Sequence, residues 1–165
     1  MRAKHPGFTL IELVVTTAIV AVIGLVFAQI FSSGLKNYIL GRELVDDDAQ
    51  ARIALERLSR DIRMLRSTAD ISTFLPTRFV FVDNTGVSVD FQYSAATRQL
   101  TRAEAAGTAQ PLADLVQGLS FTYQQTDGVS TASVASAIQF VSIYLTVGSA
   151  NSTLGYRTSV KPLGF

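Results

Sequence analysis

The sequence predicts an α+β chain in which one long N-terminal helix packs on an antiparallel β-sheet. Three observations lead to this prediction. An almost uninterrupted apolar run extends from Phe8 to Phe31, an amphipathic helical pattern extends from Leu44 to Leu65, and from Thr77 onward apolar residues alternate with polar ones. We therefore expect the first half of the helix to span a membrane and the second half to cover the sheet.

The apolar run is long enough to cross a lipid bilayer. Among the 24 residues from Phe8 to Phe31, only Glu12 carries an ionised side chain. At a rise of 1.5 Å per residue such a helix spans about 36 Å, which exceeds the roughly 30 Å of a hydrocarbon core. Because Arg2 and Lys4 precede the run and the next cation is Lys36, the positive-inside tendency predicts a cytoplasmic N-terminus.

The segment after the apolar run has the pattern of a helix with one apolar face. Its apolar residues recur mostly at steps of three or four, at Leu44, Ala51, Leu55, Leu58, Ile62 and Leu65. The pairs Asp48–Arg52 and Glu56–Arg60 have the favourable i,i+4 order, and we expect the helix to continue to about Arg66. We call residues 32–66 the stem.

The remainder of the chain reads as short strands separated by turns. Strands are predicted where apolar residues alternate with polar ones: Phe79 to Phe81, Val87 to Tyr93, around Leu100, Leu119 to Tyr123, Gln139 to Val147, and Tyr156 to Val160. The sequence Asp83-Asn84-Thr85-Gly86 predicts a hairpin turn between the first two. Pro111 to Gln117 is expected to be a loop or a helical turn, and Thr126 to Ala137 an exposed loop.

The residue inventory argues against an enzyme. The chain has no cysteine, and its one histidine is His5, so a Cys–His or Ser–His–Asp arrangement is excluded after residue 7. A metal could bind only to carboxylates and carbonyls. The three side chains of Asp46-Asp47-Asp48 point about 100° apart on a helix, so we expect a solvated face or a contact with a neighbour's arginines. We predict no catalytic residues, no cofactor and no metal.

Charge gives no reason to expect nucleic acid as a partner. The chain has 14 Lys and Arg against 13 Asp and Glu. From residue 67 onward there are five cations and six anions: Arg78, Arg98, Arg102, Arg157 and Lys161 against Asp70, Asp83, Asp90, Glu104, Asp114 and Asp127. A domain with this balance of charges lacks the broad positive field that nucleic-acid binding requires.

The N-terminal segment differs from an ordinary secretory signal. Its small residue, Gly7, lies before the apolar run and not after it, so cleavage there leaves the apolar helix on the mature chain. The short basic leader Met1-Arg-Ala-Lys-His-Pro-Gly7, followed by Phe8-Thr-Leu-Ile-Glu12-Leu-Val-Val, resembles the cleavage motif of type IV prepilins and type II secretion pseudopilins. This resemblance implies a pilin-like fold.

The resemblance also implies roles for three residues. A prepilin peptidase would cut after Gly7 and methylate the new N-terminal Phe8. Glu12 would stand at the fifth mature position and act in assembly. An intramembrane carboxylate is costly, and the nearest available cation is a freed amine at Phe8, its own or a neighbour's. The alternative is that Glu12 lies at the level of the lipid headgroups and pairs with nothing.

The implied organisation has four parts: a cleaved leader at 1–7, a transmembrane helix at 8–31, the amphipathic stem at 32–66, and a β-sheet head at 67–165. The stem segment Ala51 to Arg63 and the order of the strands are also similar to PilW-type minor pilins and J-type minor pseudopilins. The expected partners are prepilin peptidase, other minor and major pilins or pseudopilins, and the assembly platform of the bacterial inner membrane. The chain would then move to a periplasmic or extracellular filament.

Several alternatives stay open at this point. The subunit could be a major pilin, or an adhesin or DNA-binding module at a filament tip, and the machine could be a pilus or a secretion pseudopilus. The arginines at 57, 60, 63 and 66 could form an exposed charged face or an interface with another subunit. The apolar C-terminus (Pro162, Leu163, Phe165) could pack on the sheet or contact a partner. Loosening of the helix on assembly would be expected between Gly34 and Gly41.

Overall fold

A computed structural model describes residue 7 and residues 9–105, 107–149 and 152–164. One helix, α1, extends over Leu10–Arg63, 54 residues without a break. The chain divides into two compact units, Met1–Glu43 and Leu44–Phe165. The prediction of one long helix is confirmed, although it ends at Arg63 because Leu65 already pairs with Asp83 in an isolated β-bridge.

In the first unit, the apolar side chains of α1 lie on the surface. Leu10, Phe27 and Phe31 are 81%, 71% and 68% exposed. A helix satisfies its own backbone hydrogen bonds and can therefore carry such a surface through lipid. By length and composition, α1 is able to cross a membrane.

The second unit contains two antiparallel sheets where the sequence predicted one. The first has the order β1-β2-β3-β4-β5, with β1 at Ile71–Leu75, β2 at Arg78–Val82, β3 at Ser88–Ser94, β4 at Gln99–Glu104 and β5 at Gln110–Ala113. The second has the order β6-β7-β8, with β6 at Val116–Gln124, β7 at Phe140–Ser149 and β8 at Ser152–Val160. Short 3₁₀ turns lie at Thr68–Asp70 and Ala135–Ala137.

The apolar residues that recur from Leu44 to Leu65 form a stripe along the stem. This stripe covers both sheets, as the sequence predicts. Its buried residues are Ala51, Ala54, Leu55, Leu58 and Ile62, with Leu65 just beyond the helix. They join one core with Phe79, Phe81 and Phe91 of the first sheet and with Phe121, Ile143 and Leu145 of the second. Leu44 at the edge of the stripe is half-buried. The stripe is therefore the face of α1 against which both sheets pack.

The predicted hairpin at Asp83 to Gly86 is confirmed and is stabilised by the buried Asp83 side chain. Its Oδ1 accepts hydrogen bonds from the backbone N–H groups of Thr85 and Val87, both at 2.9 Å, and from the Thr85 hydroxyl at 2.7 Å. Burial alone raises the pKa of Asp83, but these hydrogen bonds outweigh it, and the pKa lies below its usual value. Gly86 adopts φ 85°, which the turn requires.

Two strands were not predicted. Pro111 to Gln117 was expected to be a loop or helical turn, which is wrong, since β5 includes Pro111 and β6 begins at Val116. β5 is the last strand of its sheet, and edge strands are where sheets tolerate proline. Strand β1 is also an edge strand, with Ile71 buried and Leu75 exposed, and its register shifts after Ile71. Such an edge strand has no clear alternation of apolar residues.

The C-terminus lies against the end of α1. The backbone N–H of Leu163 donates to the Arg63 carbonyl at 3.1 Å, and the Leu163 side chain is 82% exposed. The prediction that the C-terminus packs on the sheet is therefore wrong for Leu163, whereas Pro162 is buried. A Cβ at Gly164 would lie 1.9 Å from the Arg66 carbonyl oxygen, so this close approach needs glycine. The expectation for Phe165 lies outside the described residues.

The core position of Leu58 gives a direct test of this packing. A chain beginning at Leu35 retains the whole second unit, and we expect it to unfold cooperatively. Leu58→Asp should lower its free energy of unfolding by about 4 kcal/mol, because Leu58 is fully buried and would be replaced by an unpaired charge. Urea unfolding followed by circular dichroism measures the change.

Ile53→Asp is the matched control, since Ile53 lies on the same helix but is 64% exposed. Its cost should stay within about 1 kcal/mol. Equal losses in the two variants would contradict the assignment of Leu58 to the core.

Candidate functional site

The residues around the predicted cleavage point lie just before α1. Gly7 is exposed, Phe8 lies outside the described residues, and α1 begins at Leu10. Apart from its two chain neighbours, no described residue has a heavy atom within 4 Å of the position that a Cβ on Gly7 would occupy. Among the described residues, the α-carbon of Gly7 is therefore uncrowded and lies ahead of the helix.

Thr9 and Glu12 form the start of the helix. The Thr9 hydroxyl accepts a hydrogen bond from the Glu12 backbone N–H at 3.3 Å, and the Thr9 carbonyl accepts one from Leu13 at 3.2 Å. Thr9 is thus the N-cap, and Glu12 stands at the N3 position that a capping box reserves for Glu or Gln. Its carboxylate also lies at the positive end of the helix dipole. The Thr-x-x-Glu spacing, not among the sequence-based predictions above, already indicates this capping role.

Glu12 has a different environment from the other polar groups of the apolar run. The hydroxyls of Thr16 and Thr17 donate to backbone carbonyls one turn earlier, at 2.8–3.0 Å, so they are satisfied within the helix. The Glu12 side chain is exposed, and within the described ranges no cation lies within 4.0 Å of its carboxylate. A charge placed in this way in a membrane helix is available to a partner outside the helix.

The stem carries a buried carboxylate that the sequence analysis did not single out. Asp61 is 1% exposed, and its Oδ2 accepts hydrogen bonds from Arg102 Nε at 2.6 Å and from Arg57 Nε at 3.3 Å. Its Oδ1 accepts no hydrogen bond within the described structure, and Arg60 Nε lies 3.9 Å away. Asp61 lies three residues after Leu58 and four before Leu65, so its spacing already places it on the apolar face.

The ion pairs around Asp61 link α1 to strand β4. Arg102 Nη1 also lies 2.6 Å from Glu104 Oε1, and Arg57 Nη2 lies 3.8 Å from the same oxygen. Burial alone lowers the pKa of Arg102, but its bonds to Glu104 and Asp61 outweigh burial and raise the pKa above its ordinary value. The network therefore keeps Arg102 charged and attaches the stem to the first sheet.

A groove of about 650 Å³ lies above this network. One wall is the helix face with Ile53, Glu56, Arg57 and Arg60, and the other includes Arg102, Glu104 and the chain from Gly107 to Leu112. The arginines thus do not form one uniform exposed face: Arg57 and Arg60 line the groove, whereas Arg66 pairs with Asp70 at 2.8 Å. The expected pair of Glu56 with Arg60 is wrong: among the described residues no Glu56 oxygen lies within 4.0 Å of the Arg60 guanidinium, and both side chains line the groove. The contact of these arginines with another subunit stays a prediction.

The acidic run of the stem has a structural partner. Asp48 pairs with Arg52 at 2.9 Å, as predicted, and accepts a hydrogen bond from the Tyr156 hydroxyl of β8. The bonds from Tyr156 and Arg52 lower the pKa of the Asp48 carboxyl. Asp48 therefore connects the stem to the second sheet. In the part of the chain that the structure describes, no three His, Cys, Asp or Glu side chains are grouped to hold a metal ion.

The comparisons with known proteins concern the N-terminal segment. Residues 2–28 match a family model described as the prokaryotic N-terminal methylation motif. This match supports a type IV pilin-like or pseudopilin family, whose members are substrates of prepilin peptidase. No curated protein and no solved structure has significant similarity to the chain. The matched range contains Gly7 and Glu12 and most of the apolar run.

The network at Asp61 predicts a strong effect of one arginine on stability. Arg102→Met should lower the free energy of unfolding by about 3 kcal/mol, because it removes the closest cation from a buried carboxylate. Adding Asp61→Leu to this variant should restore most of the loss, since no buried charge is then left. Arg52→Met, which removes an exposed pair, should cost less than about 1 kcal/mol. Equal losses for Arg102→Met and Arg52→Met in urea unfolding would refute the role of the network.

Proposed function

We propose that this chain is a minor pilin or pseudopilin, a structural subunit with no catalytic role of its own. It is trimmed by prepilin peptidase and enters, or primes at the tip, a type IV pilus or a type II secretion pseudopilus. The observation that carries the proposal is the N-terminal methylation motif, which coincides with a helix apolar enough to cross a membrane.

Processing would act on the segment just before α1. The peptidase would cut between Gly7 and Phe8, remove the leader 1–7 and methylate the amine of Phe8. Two features of the described residues support this. Gly7 is exposed and has no side chain, so a protease can approach its peptide bond closely, and the helix begins only after the Thr9 cap. The cut would therefore leave α1 and its cap intact.

Assembly would use Glu12. A carboxylate without a partner in lipid costs several kcal/mol, and an opposite charge recovers part of that cost. The freed amine of Phe8 on an adjacent subunit is the partner that we propose. Because Glu12 lies one turn inside the helix, such a pair would set the axial offset between neighbouring helices.

The topology follows from the charges that flank the apolar run. We propose that residues 8–31 span the bacterial inner membrane with the N-terminus in the cytoplasm, and that the stem (32–66) and head (67–165) lie outside it. The partners are then prepilin peptidase, the assembly platform and other pilins or pseudopilins. The head folds as one unit with the stem from Leu44 onward, which supports its transfer into a filament as a preformed body.

The stoichiometry of the chain distinguishes a minor subunit from a major one. The minor role rests on the resemblance of the stem and strand order to minor pilins. Quantitative mass spectrometry of sheared filaments, or of purified assembly complexes, should find the chain in trace amounts relative to the repeating subunit. An amount equal to that of the repeating subunit would replace the minor role with a major one.

The pairing role of Glu12 gives the sharpest test of assembly. We expect Glu12→Val to be inserted and cleaved normally but to be recovered with its partner subunits at least about ten-fold less than wild type, because it lacks the charge that attracts the neighbour's amine. The measurement is co-purification of partners with the tagged chain at equal membrane levels.

Thr16→Val is the matched control, because Thr16 lies one turn further on and bonds only within its own helix. It should assemble like wild type. Equal recovery of Glu12→Val and wild type would reject the pairing role, and uncleaved Glu12→Val would point to a role in processing.

A further inference from the structure

Tyr144 is a large aromatic side chain in the middle of the outer face of the three-stranded sheet, where most of its neighbours are small. In the register of this sheet, Tyr144 stands between Ser120 of β6 and Arg157 of β8. The rows on either side consist of small residues: Thr122, Ser142 and Ser159 on one side, and Gly118, Thr146 and Gly155 on the other. We call this set of nine residues the outer face. Neither processing nor assembly, as proposed above, uses it.

The Tyr144 ring has one covered side and one open side. A Cβ on Gly155 would lie 3.1 Å from the Tyr144 hydroxyl and 3.7 Å from Cζ, so the ring leans over this glycine. The side chain is nevertheless 52% exposed. Away from Gly155, the ring borders a pocket of about 260 Å³ that is also lined by Thr122, Ser142 and Arg157. A ligand in this pocket would contact an aromatic surface that is already held in place.

Two aliphatic hydroxyl groups line the pocket, and one of them, that of Ser142, is fixed by hydrogen bonds. Ser142 is buried, and its hydroxyl lies 2.9 Å from Gln124 Oε1 and 3.1 Å from the Ser159 hydroxyl. Because Gln124 Oε1 can only accept, Ser142 donates to it and accepts from Ser159. The hydroxyl of Thr122 is exposed, has no hydrogen-bond partner among the described residues, and can bond a ligand. Hydrogen-bonding groups therefore surround the open side of the ring.

The charge of this region favours an anion. Arg157 is exposed, and among the residues described no carboxylate lies within 4.0 Å of its guanidinium. The sequence contains no Asp or Glu after Asp127, whereas Arg157 and Lys161 follow it. A planar guanidinium beside the pocket suits a carboxylate, which it can bind through two parallel hydrogen bonds.

We propose that the outer face binds an acidic saccharide, one sugar ring at a time. The C–H face of the ring would lie on Tyr144, its carboxylate would pair with Arg157, and its hydroxyls would bond Thr122 and Ser159. The pocket volume suits a single sugar ring better than a larger ligand. A single strand of nucleic acid would need several free aromatic residues and a track of cations. The next aromatic residue of β7, Phe140, already lies under the Lys161 ammonium, 5.8 Å from its ring centroid.

The test uses the full chain in detergent micelles and trigalacturonate, a trimer of uronic acid, as the probe. Titration calorimetry or ligand-observed NMR should detect binding of the trimer. Its methyl ester, which has the same rings without the charge, should bind at least about ten-fold more weakly. Arg157→Gln should reduce the affinity for the acidic trimer by a similar factor, and Tyr144→Thr by about five-fold.

Two control variants keep the test falsifiable. Tyr144→Phe retains the ring over Gly155 and should bind within about two-fold of wild type, while Arg63→Gln, an exposed arginine on α1, should change nothing. Thermal unfolding of each variant separates lost binding from lost folding.

Three outcomes would overturn the proposal. They are no binding of the trimer to wild type, equal losses for Arg63→Gln and Arg157→Gln, and tighter binding of an oligothymidylate than of the saccharide. Binding of the saccharide does not depend on cleavage of the leader. Failure of the binding experiment would therefore leave the proposed function untouched, and failure of processing would leave this site untouched.

Discussion

The structure depends on one constraint: a single helix must have an apolar surface all round in its first half and one apolar face in its second half. From Leu10 onward, α1 exposes apolar side chains all round and satisfies its polar backbone internally, as lipid requires. From Ala51 onward, the same helix has one buried apolar face and an opposite face of charges. No proline interrupts it, so one continuous helix carries both the apolar segment and the face that packs on the sheets.

Polar contacts then fix the head on this helix at two places. Asp61 pairs with Arg102 of β4 in the first sheet, and Asp48 bonds Tyr156 of β8 in the second. Apolar packing alone does not determine how a sheet is positioned along a helix, whereas a buried charge such as Asp61 is stable only where an opposite charge pairs with it. The two carboxylates lie 13 residues apart on α1, about 20 Å at helical rise, so together they hold both sheets along the stem.

Sequence patterns predicted those parts of the molecule in which one period dominates. The stripe through Leu58 and the hairpin at Asp83 to Gly86 could be predicted because period and turn chemistry agree there. Strands β1 and β5 could not, since edge strands tolerate Pro111 and lack clear alternation. The division into two sheets and the partners of Asp61 depend on contacts far apart in sequence, such as that with Arg102, which periodicity does not contain. At the N-terminus, the motif indicated Gly7 and Glu12, but the Thr9 cap was overlooked.

The central claim is that the chain loses a short leader and keeps its apolar helix. The most direct measurement is the mass of the N-terminal peptide of the wild-type chain extracted from the bacterial inner membrane. The account predicts a peptide that begins with an N-methylated Phe8 and contains Thr9 to Glu12. A chain that begins at Met1 in cells with active prepilin peptidase, or one cut beyond Phe31, would contradict it.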